Sequence, residues 1–170
     1  MSGVNPAGRP QAAVVVERTY RAPVEDLWAL WTTKEGFESW WGPEGFRVEV
    51  HAIEARAGGA LAYDMIADTP EMVAAMKDMN QPATHYTHGV FGELRPHQRL
   101  TLVHVIDFIA GVEPYEQTIE VDFRPAGDQA SMMVTIHPHF NAHWTNMAVM
   151  GFTSQLTKLD RRFGWSKGGD

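Results

Sequence analysis

The chain contains no cysteine among its 170 residues, which excludes disulfide bonds, thiol nucleophiles and thiolate metal sites. It also lacks an apolar run of the ~20 residues that a membrane-spanning helix needs. Its first ten residues lack the hydrophobic region of a secretory signal peptide. We therefore predict a cytoplasmic protein that does not insert into membranes.

Clusters of positive charge are missing as well. The 14 Lys and Arg residues are outnumbered by 21 Asp and Glu residues, which gives a formal net charge of −7. A protein that binds the phosphate backbone needs clustered Lys and Arg, so we expect no nucleic-acid partner. The pair Gly58-Gly59 lies between two predicted strands rather than in a phosphate-binding loop, and we predict no cofactor.

Length and pattern predict one domain over residues 13–164, with flexible tails at 1–12 and 165–170. A chain of this size can bury roughly 70% of its unfolded surface in one core. The periodicity predicts a strand at 13–20, short helices from Pro23 onward and a long amphipathic helix at 141–163. Six further strands are predicted between them, at 47–53, 60–65, 84–94, 100–108, 115–123 and 131–137.

Two adjacent tryptophans, Trp40 and Trp41, stand directly before the turn formed by Gly42 and Pro43. Neighbouring side chains point in different directions on any regular element. One indole can therefore fill the core while the other faces a cleft. The alternative is that both tryptophans are core residues.

The order of elements, together with three motifs, resembles the heat-shock-protein-90 ATPase activator-like family. The motifs are Trp40-Trp41-Gly42-Pro43, Gly58-Gly59 and the segment 89–96, which reads Gly-Val-Phe-Gly-Glu-Leu-Arg-Pro. That family belongs to the START-like, Bet v-like helix-grip superfamily, also called SRPBCC. The resemblance spans about 14–163. Two departures are Phe152, where the family usually has tryptophan, and a longer connection at 68–82.

The resemblance implies an α+β helix-grip fold. In this fold a curved antiparallel sheet of about seven strands wraps on a long C-terminal helix, and two short helices follow strand 1. A long helix cannot press evenly on a curved sheet, so an apolar cavity is expected between them. The resemblance implies the same, because relatives enclose hydrophobic ligands there. We therefore expect the protein to bind a small hydrophobic or amphipathic molecule.

The predicted cavity lining comes from the tryptophan pair, from one face of the strands and from the long helix. The strand residues depend on phase, because a shift of one residue turns each to the opposite face. Glycine inside a helix costs about 1 kcal/mol, and for Gly151 we favour close packing on the sheet over contact with a ligand. The predicted lining residues are Trp40, Trp41, Tyr63, Met65, Phe91, His104, Ile106, Phe108, Trp144, Met147, Met150 and Gly151.

The inserted segment 68–80 predicts a short helix with Thr69 as N-cap and Pro70 in its first turn. Met72, Met76 and Met79 share one face of this helix. Because methionine is flexible and polarizable, we predict a lid over the cavity mouth. The alternative is an ordinary helix packed on the edge of the sheet.

Two other functions remain open from the sequence. An enzyme of cyclase, dehydratase or hydrolase type could use His104, with Tyr63, Asp64 or Glu93, as acid or base. A lone histidine among apolar residues is more often a core residue, so we assign no catalytic residue and favour binding over catalysis. The third function, implied by the family resemblance, is that of an Hsp90 co-chaperone. The sequence leaves homodimerisation open.

A histidine cluster is the remaining candidate for chemistry. His137, His139 and His143 could approach one metal ion, since residues two apart on a strand share a face. Pro138 and the change from strand to helix disturb that phase, and no strict ligand spacing is present. We predict no metal site. His85 and His88 are an odd number of residues apart and should face opposite sides of the sheet.

Overall fold

The computed structural model describes residues 12–164, so the predicted tails lie outside the described residues except for residue 12. The predicted order of elements and the α+β fold class are confirmed. In chain order the elements are β1 (Val14–Tyr20), α1 (Val24–Thr32), α2 (Lys34–Glu38), β2 (Phe46–Ile53), β3 (Ala60–Ala67), α3 (Pro70–Asp78), β4 (Thr84–Arg95), β5 (Arg99–Ile106), β6 (Tyr115–Ala126), β7 (Gln129–Ile136) and α4 (Ala142–Phe163).

The seven strands form one sheet in the order β1-β7-β6-β5-β4-β3-β2. Every neighbouring pair is antiparallel. From β2 to β7 each strand pairs with the next one along the chain. The segment containing α1 and α2 carries the chain from β1 at one edge to β2 at the other. The inner face of the sheet is therefore covered by these helices and by α4.

Side chains alternate between the two faces of the sheet. In β5 and β7 every second residue is buried, as expected for a sheet with one covered face. Tyr63, Phe91, His104 and Ile106 are all buried on this inner face, so the predicted strand phase is correct. His85 and His88 face opposite sides, also as predicted. His85 packs on Phe108 on the inner side, whereas His88 binds Asp107 on the outer side.

The glycines of the 89–96 motif permit close contact between β4 and β5. A Cβ atom on Gly89 would lie only 2.2 Å from the carbonyl oxygen of Val103. A Cβ atom on Gly92 would lie 2.3 Å from the hydroxyl of Thr101. This second glycine stands within a register shift between Phe91 and Leu94. Close packing between β4 and β5 thus explains the two glycines of the motif.

An aromatic cluster fills one end of the interior. Trp31, Trp40 and Trp41 contact one another edge to face, with ring centroids 5.1 to 5.4 Å apart. Phe37 stacks on Trp41 at 4.6 Å. Both members of the tryptophan pair are buried, at 0% and 5% exposure, so the core alternative holds for the pair. Phe152 of α4 packs against all three indoles.

Helix α4 begins after Asn141, whose side chain accepts a hydrogen bond from the backbone N–H of Trp144. It ends at Gly164, which has a φ of 70°. All three of its buried apolar residues, Phe152, Leu156 and Leu159, lie in its second half. No helix within residues 12–164 is long and apolar enough to cross a membrane.

We call the two ends of the interior the closed end and the open end, because α4 buries apolar residues only in its second half. The closed end comprises the aromatic cluster and residues 152–163 of α4. The open end comprises residues 142–151 of α4 and the inner-face strand residues that lie outside the aromatic cluster, namely Met65, His85, Thr87, His104, Ile106, Tyr115 and Gln117. In the first half of α4 Thr145 is the buried residue, and Met147 and Met150 are 50% and 67% exposed.

Candidate functional site

A chain of polar side chains crosses the inner face between the closed and open ends. The indole N–H of Trp41 donates to the hydroxyl oxygen of Tyr63 at 2.9 Å. That hydroxyl lies 3.0 Å from Nε2 of His104. The three rings are also in contact, since Trp41 stacks on His104 at a centroid distance of 6.1 Å. The indole links the turn at Gly42 to two strands of the sheet.

The sheet brings Tyr63 and His104 together across the strand that separates them. Tyr63 lies on β3 and His104 on β5, with β4 between. The residue of β4 paired with His104 is Gly89, which has no side chain to stand between the two rings. Burial lowers the pKa of His104 to about 4, so its imidazole is neutral at pH 7. Burial also raises the pKa of the Tyr63 hydroxyl above its usual value.

The neighbouring strand adds an amide beside the imidazole. Gln117 on β6 pairs in register with His104 and is 5% exposed. Its amide nitrogen donates to the carbonyl oxygens of Thr118 and His137, each at 2.9 Å. Further toward the open end the hydroxyl of Tyr115 is hydrogen-bonded to Nδ1 of His139. The inner face therefore carries a group of neutral polar side chains here.

Helix α4 holds the loop of the tryptophan pair through its polar face. Lys158 donates to the carbonyl oxygens of Gly42 and Phe46 at 2.8 and 3.0 Å. Gln155 accepts a hydrogen bond from the backbone N–H of Gly42 at 2.9 Å. These bonds fix the loop that carries Trp41 and so position the indole that contacts Tyr63.

The close packing expected at Gly151 is not what the structure shows. If this glycine carried a Cβ atom, Cγ of Pro43 would lie 3.7 Å from it. The described residues place no other such neighbour within 4 Å. No strand atom of the described residues lies within 4 Å of that Cβ position. The space next to this glycine therefore borders the loop at Pro43 and not a strand.

Two nitrogen atoms of the interior are buried without a hydrogen-bond partner among residues 12–164. One is Nε2 of His85 at the open end, and the other is the amide nitrogen of Gln155 beside the loop. Such groups are rare in folded proteins, because an unpaired buried donor or acceptor costs roughly 1–3 kcal/mol. Water or a ligand would satisfy them.

The predicted lining residues divide into three sets. Trp40 and Phe91 are fully buried in the core. Tyr63, Met65, His104, Ile106, Trp144 and Gly151 lie at the open end or at its boundary with the core, next to Trp41. Phe108, Met147 and Met150 are 44%, 50% and 67% exposed, respectively. Sequence reasoning missed Gln117, Thr87 and Tyr115, whose shared face follows from the alternation within their strands.

Two of the proposed acid or base residues lie away from His104. Asp64 must face opposite to Tyr63, its neighbour in β3, and its carboxylate lies 3.0 Å from Nε2 of His51. Glu93 stands at the β4 register shift and pairs with Arg95 and Arg99. Neither carboxylate reaches the imidazole of His104.

The three histidines of the predicted cluster each contact a different partner. His137 binds Glu120, and His139 binds Tyr115 on another side. The ring of His143 packs on Trp144. Within the described residues no group of three His, Asp or Glu side chains is placed to hold a metal ion.

A depression of about 430 Å³ lies on the outer face of the sheet. Arg95, Arg99 and Arg124 line it, together with Glu17 and Asp122. Arg99 is engaged by the carboxylates of Glu93, Glu120 and Asp122. These hydrogen bonds raise the pKa of its guanidinium further. The charges of the depression are therefore largely satisfied internally.

A predicted short helix at the insert is confirmed as α3. The side chain of Thr69 accepts a hydrogen bond from the backbone N–H of Met72, and Pro70 occupies the first turn. Met72 packs against the loop, since a Cβ atom on Gly45 would lie 2.8 Å from its Cε. Met76 is half-buried and Met79 is 59% exposed. A lid function for this methionine face stays a prediction.

The curved sheet and the long helix across it define a helix-grip domain of the α+β class. The family model described as "Activator of Hsp90 ATPase homolog 1-like protein" matches residues 21–164. The chain therefore belongs to the family of Hsp90 ATPase activator homolog 1-like proteins. A comparison with curated proteins found no match.

Solved bacterial structures share the fold. Protein CV1439 from Chromobacterium violaceum is 19% identical with a TM-score of 0.68, over 90% of this chain and 98% of that chain. The AHSA1 protein from Silicibacter pomeroyi is 19% identical with a TM-score of 0.69, over 89% and 96%. A protein from Arthrobacter aurescens is 18% identical with a TM-score of 0.69, over 88% and 84%. At these identities the likeness concerns the fold alone.

Proposed function

We propose that the protein binds one small amphipathic molecule at the open end, between the sheet and the first half of α4. The observation that carries this proposal is the contrast within α4, whose three buried apolar residues all lie beyond Gly151. In the first half, the apolar residues on the side of Phe152 are only partly buried, namely Trp144, Ala148 and Val149. A ligand would cover them and gain roughly 25 cal/mol for each Å² of apolar surface removed from water.

The inner-face strand residues of the open end support an amphipathic ligand. Met65 and Ile106 offer apolar surface, while His104, Gln117 and Tyr115 supply polar atoms. Binding pockets typically combine an apolar lining with a few placed polar groups. The unpaired Nε2 of His85 adds a group that a ligand or an enclosed water would satisfy. Membership of the family also supports a ligand-binding helix-grip domain.

An enzyme using the same residues is less well supported. General bases work best when their pKa is near the working pH. Burial lowers the pKa of His104 to about 4, which makes its neutral imidazole a weak base at pH 7. Its partner Tyr63 is held even further from ionisation. The pair is therefore suited to hydrogen bonding more than to proton transfer.

A co-chaperone function, as the family description suggests, would require a surface that fits another protein. The site proposed here lies between helix and sheet, where a small molecule fits better than an ATPase domain. We also propose that α3 covers the mouth of the site through Met72 and Met76. It follows β3 at the open end, and none of its residues is buried.

The test uses the neutral fluorophore N-phenyl-1-naphthylamine. We expect it to bind with a stoichiometry near one. Ala148→Trp should weaken binding, because Ala148 is partly buried on the side of α4 that also carries Thr145 and Phe152, and the indole would fill the site. The matched control is Met150→Trp, at a position that is 67% exposed. Equal affinity in both variants would place the probe elsewhere and contradict the proposal.

A further inference from the structure

We propose that His104 and Gln117 together recognise an uncharged group of the ligand that both accepts and donates a hydrogen bond, such as a hydroxyl or a carboxamide. This inference rests on the proposed function and adds the chemical class of the ligand to it. It follows from which hydrogen-bonding positions of the two side chains are already occupied.

The tautomer of His104 is fixed by the chain of hydrogen bonds that ends on it. The indole of Trp41 can only donate, so the Tyr63 oxygen accepts at that contact. The side chain of Thr87 is a second hydrogen-bond partner of this oxygen. With Trp41 and Thr87 both donating, the two acceptor positions of the oxygen are filled, and the hydroxyl proton of Tyr63 is directed to Nε2 of His104. Nε2 therefore accepts, and the ring proton of the neutral imidazole stands on Nδ1. The described residues provide no hydrogen-bond partner for this Nδ1–H donor.

The orientation of the Gln117 amide group is also fixed by its hydrogen bonds. Its nitrogen donates to two backbone carbonyl oxygens, those of Thr118 and His137. Both amide hydrogens are thus used, and Oε1 remains as an acceptor. Residues paired in register on antiparallel strands have Cβ atoms about 4.5–5.5 Å apart. Because Gln117 is the register partner of His104, one donor and one acceptor stand side by side on the inner face.

Both side chains are more than nine-tenths buried, at 6% and 5% exposure. The residues of the open end, as defined above, include no lysine, arginine, aspartate or glutamate. A carboxylate or ammonium group of a ligand would lose its hydration there without gaining an opposite charge. A hydroxyl or carboxamide instead accepts from Nδ1 of His104 and donates to Oε1 of Gln117. The apolar part of the ligand would then extend toward Met65 and Ile106.

Four naphthalene derivatives of similar size test this inference: 2-naphthol, 2-naphthamide, 2-methylnaphthalene and 2-naphthoate. Their affinities are measured by displacement of N-phenyl-1-naphthylamine. We expect 2-naphthol and 2-naphthamide to bind about tenfold more tightly than 2-methylnaphthalene, the ratio that one net hydrogen bond provides. The charged 2-naphthoate should bind more weakly than 2-naphthol.

Variants assign the preference to the two residues. His104→Phe and Gln117→Met keep the approximate size of each side chain, and each should reduce the tenfold preference to less than threefold while 2-methylnaphthalene still binds. Val105→Thr, on the same strand but the outer face, is the matched control and should leave all four affinities unchanged. In the wild-type protein, ¹⁵N NMR of His104 should show a protonated Nδ1 whose shift changes when 2-naphthol binds.

The outcomes separate the two proposals. If none of the neutral naphthalenes displaces the fluorophore, or the fluorophore itself does not bind, the proposed function fails and this inference fails with it. If 2-methylnaphthalene binds as tightly as 2-naphthol, the binding site stands and the inference about its polar pair is overturned. A proton on Nε2 rather than Nδ1 of His104 in the NMR spectrum would also overturn it.

Discussion

The two halves of α4 differ in how they meet the sheet. Beyond Gly151 the helix buries Phe152, Leu156 and Leu159 against an interior that contains the aromatic cluster. Before Gly151 the apolar residues on the same side of the helix are only partly buried, namely Ala148 and Val149. One continuous helix is thus a core element in its C-terminal half and a less buried element in its N-terminal half. On the proposal made above, the closed end maintains the fold and the open end binds the ligand.

The sharpest contrast between the two ends is expected in their response to truncation. Leu156→Ala at the closed end should lower the free energy of unfolding by about 2–5 kcal/mol, because it leaves a cavity in a packed core. Val149→Ala at the open end should lower it by only about 1 kcal/mol, because Val149 is partly buried. Urea unfolding measures both. Similar losses for the two variants would show that α4 is packed uniformly.

His104, at the boundary between the two ends, is expected to make the stability of the protein depend on pH. The pKa of His104 is about 4 in the folded protein against 6.5 for the unfolded chain. Between these values the unfolded state binds more protons, so the free energy of unfolding falls as the pH is lowered from 6.5 to 4. This shift corresponds to a loss on the order of 3 kcal/mol.

The comparison with His104→Gln isolates this effect. Burial also lowers the pKa of His139, which contributes in the same direction in both proteins. Unfolding measured from pH 7 to 4 should show the steeper decline in the wild-type chain. Parallel curves for the two proteins would mean that His104 is not buried as a neutral group.

A smaller effect is expected from a single methyl group at Gly151. Because a Cβ atom there would contact Pro43 only at 3.7 Å, Gly151→Ala should fit and should stabilise the empty protein by up to about 1 kcal/mol through helix propensity. At Gly89 the same change places a Cβ atom 2.2 Å from a backbone oxygen and should destabilise by about 1–3 kcal/mol. Thermal unfolding compares them. A loss of stability in Gly151→Ala would mean that helix and sheet are in contact at this turn.

The fold was largely predictable from the sequence because each element carries its own local signal. Alternation in β5 and β7 set the inner face, and the stripe from Trp144 to Phe163 set the long helix. What local patterns could not show was the distance between helix and sheet. Close packing on the sheet was therefore expected at Gly151, whereas Pro43 is the described residue within 4 Å of its Cβ position.

The polar residues of the site were only partly predictable for a similar reason. His104 and Tyr63 were proposed together from their chemistry, whereas Gln117 was missed. Its position beside His104 depends on the register between β5 and β6, which no single strand reveals. Asp64 and Glu93 were grouped with His104 by residue type alone. Their actual partners, His51 for one and Arg99 for the other, lie in other parts of the sheet.

Hydrogen exchange along α4 tests the central claim most directly, with and without N-phenyl-1-naphthylamine. Amides at 146–150 should exchange faster than those at 155–159 in the empty protein, since the first half has less packing to hold it. Bound probe should protect the first half, and also α3 at 72–79 if α3 acts as a lid, while the second half stays unchanged. Equal protection of both halves of α4, unaffected by bound probe, would contradict the division into an open and a closed end.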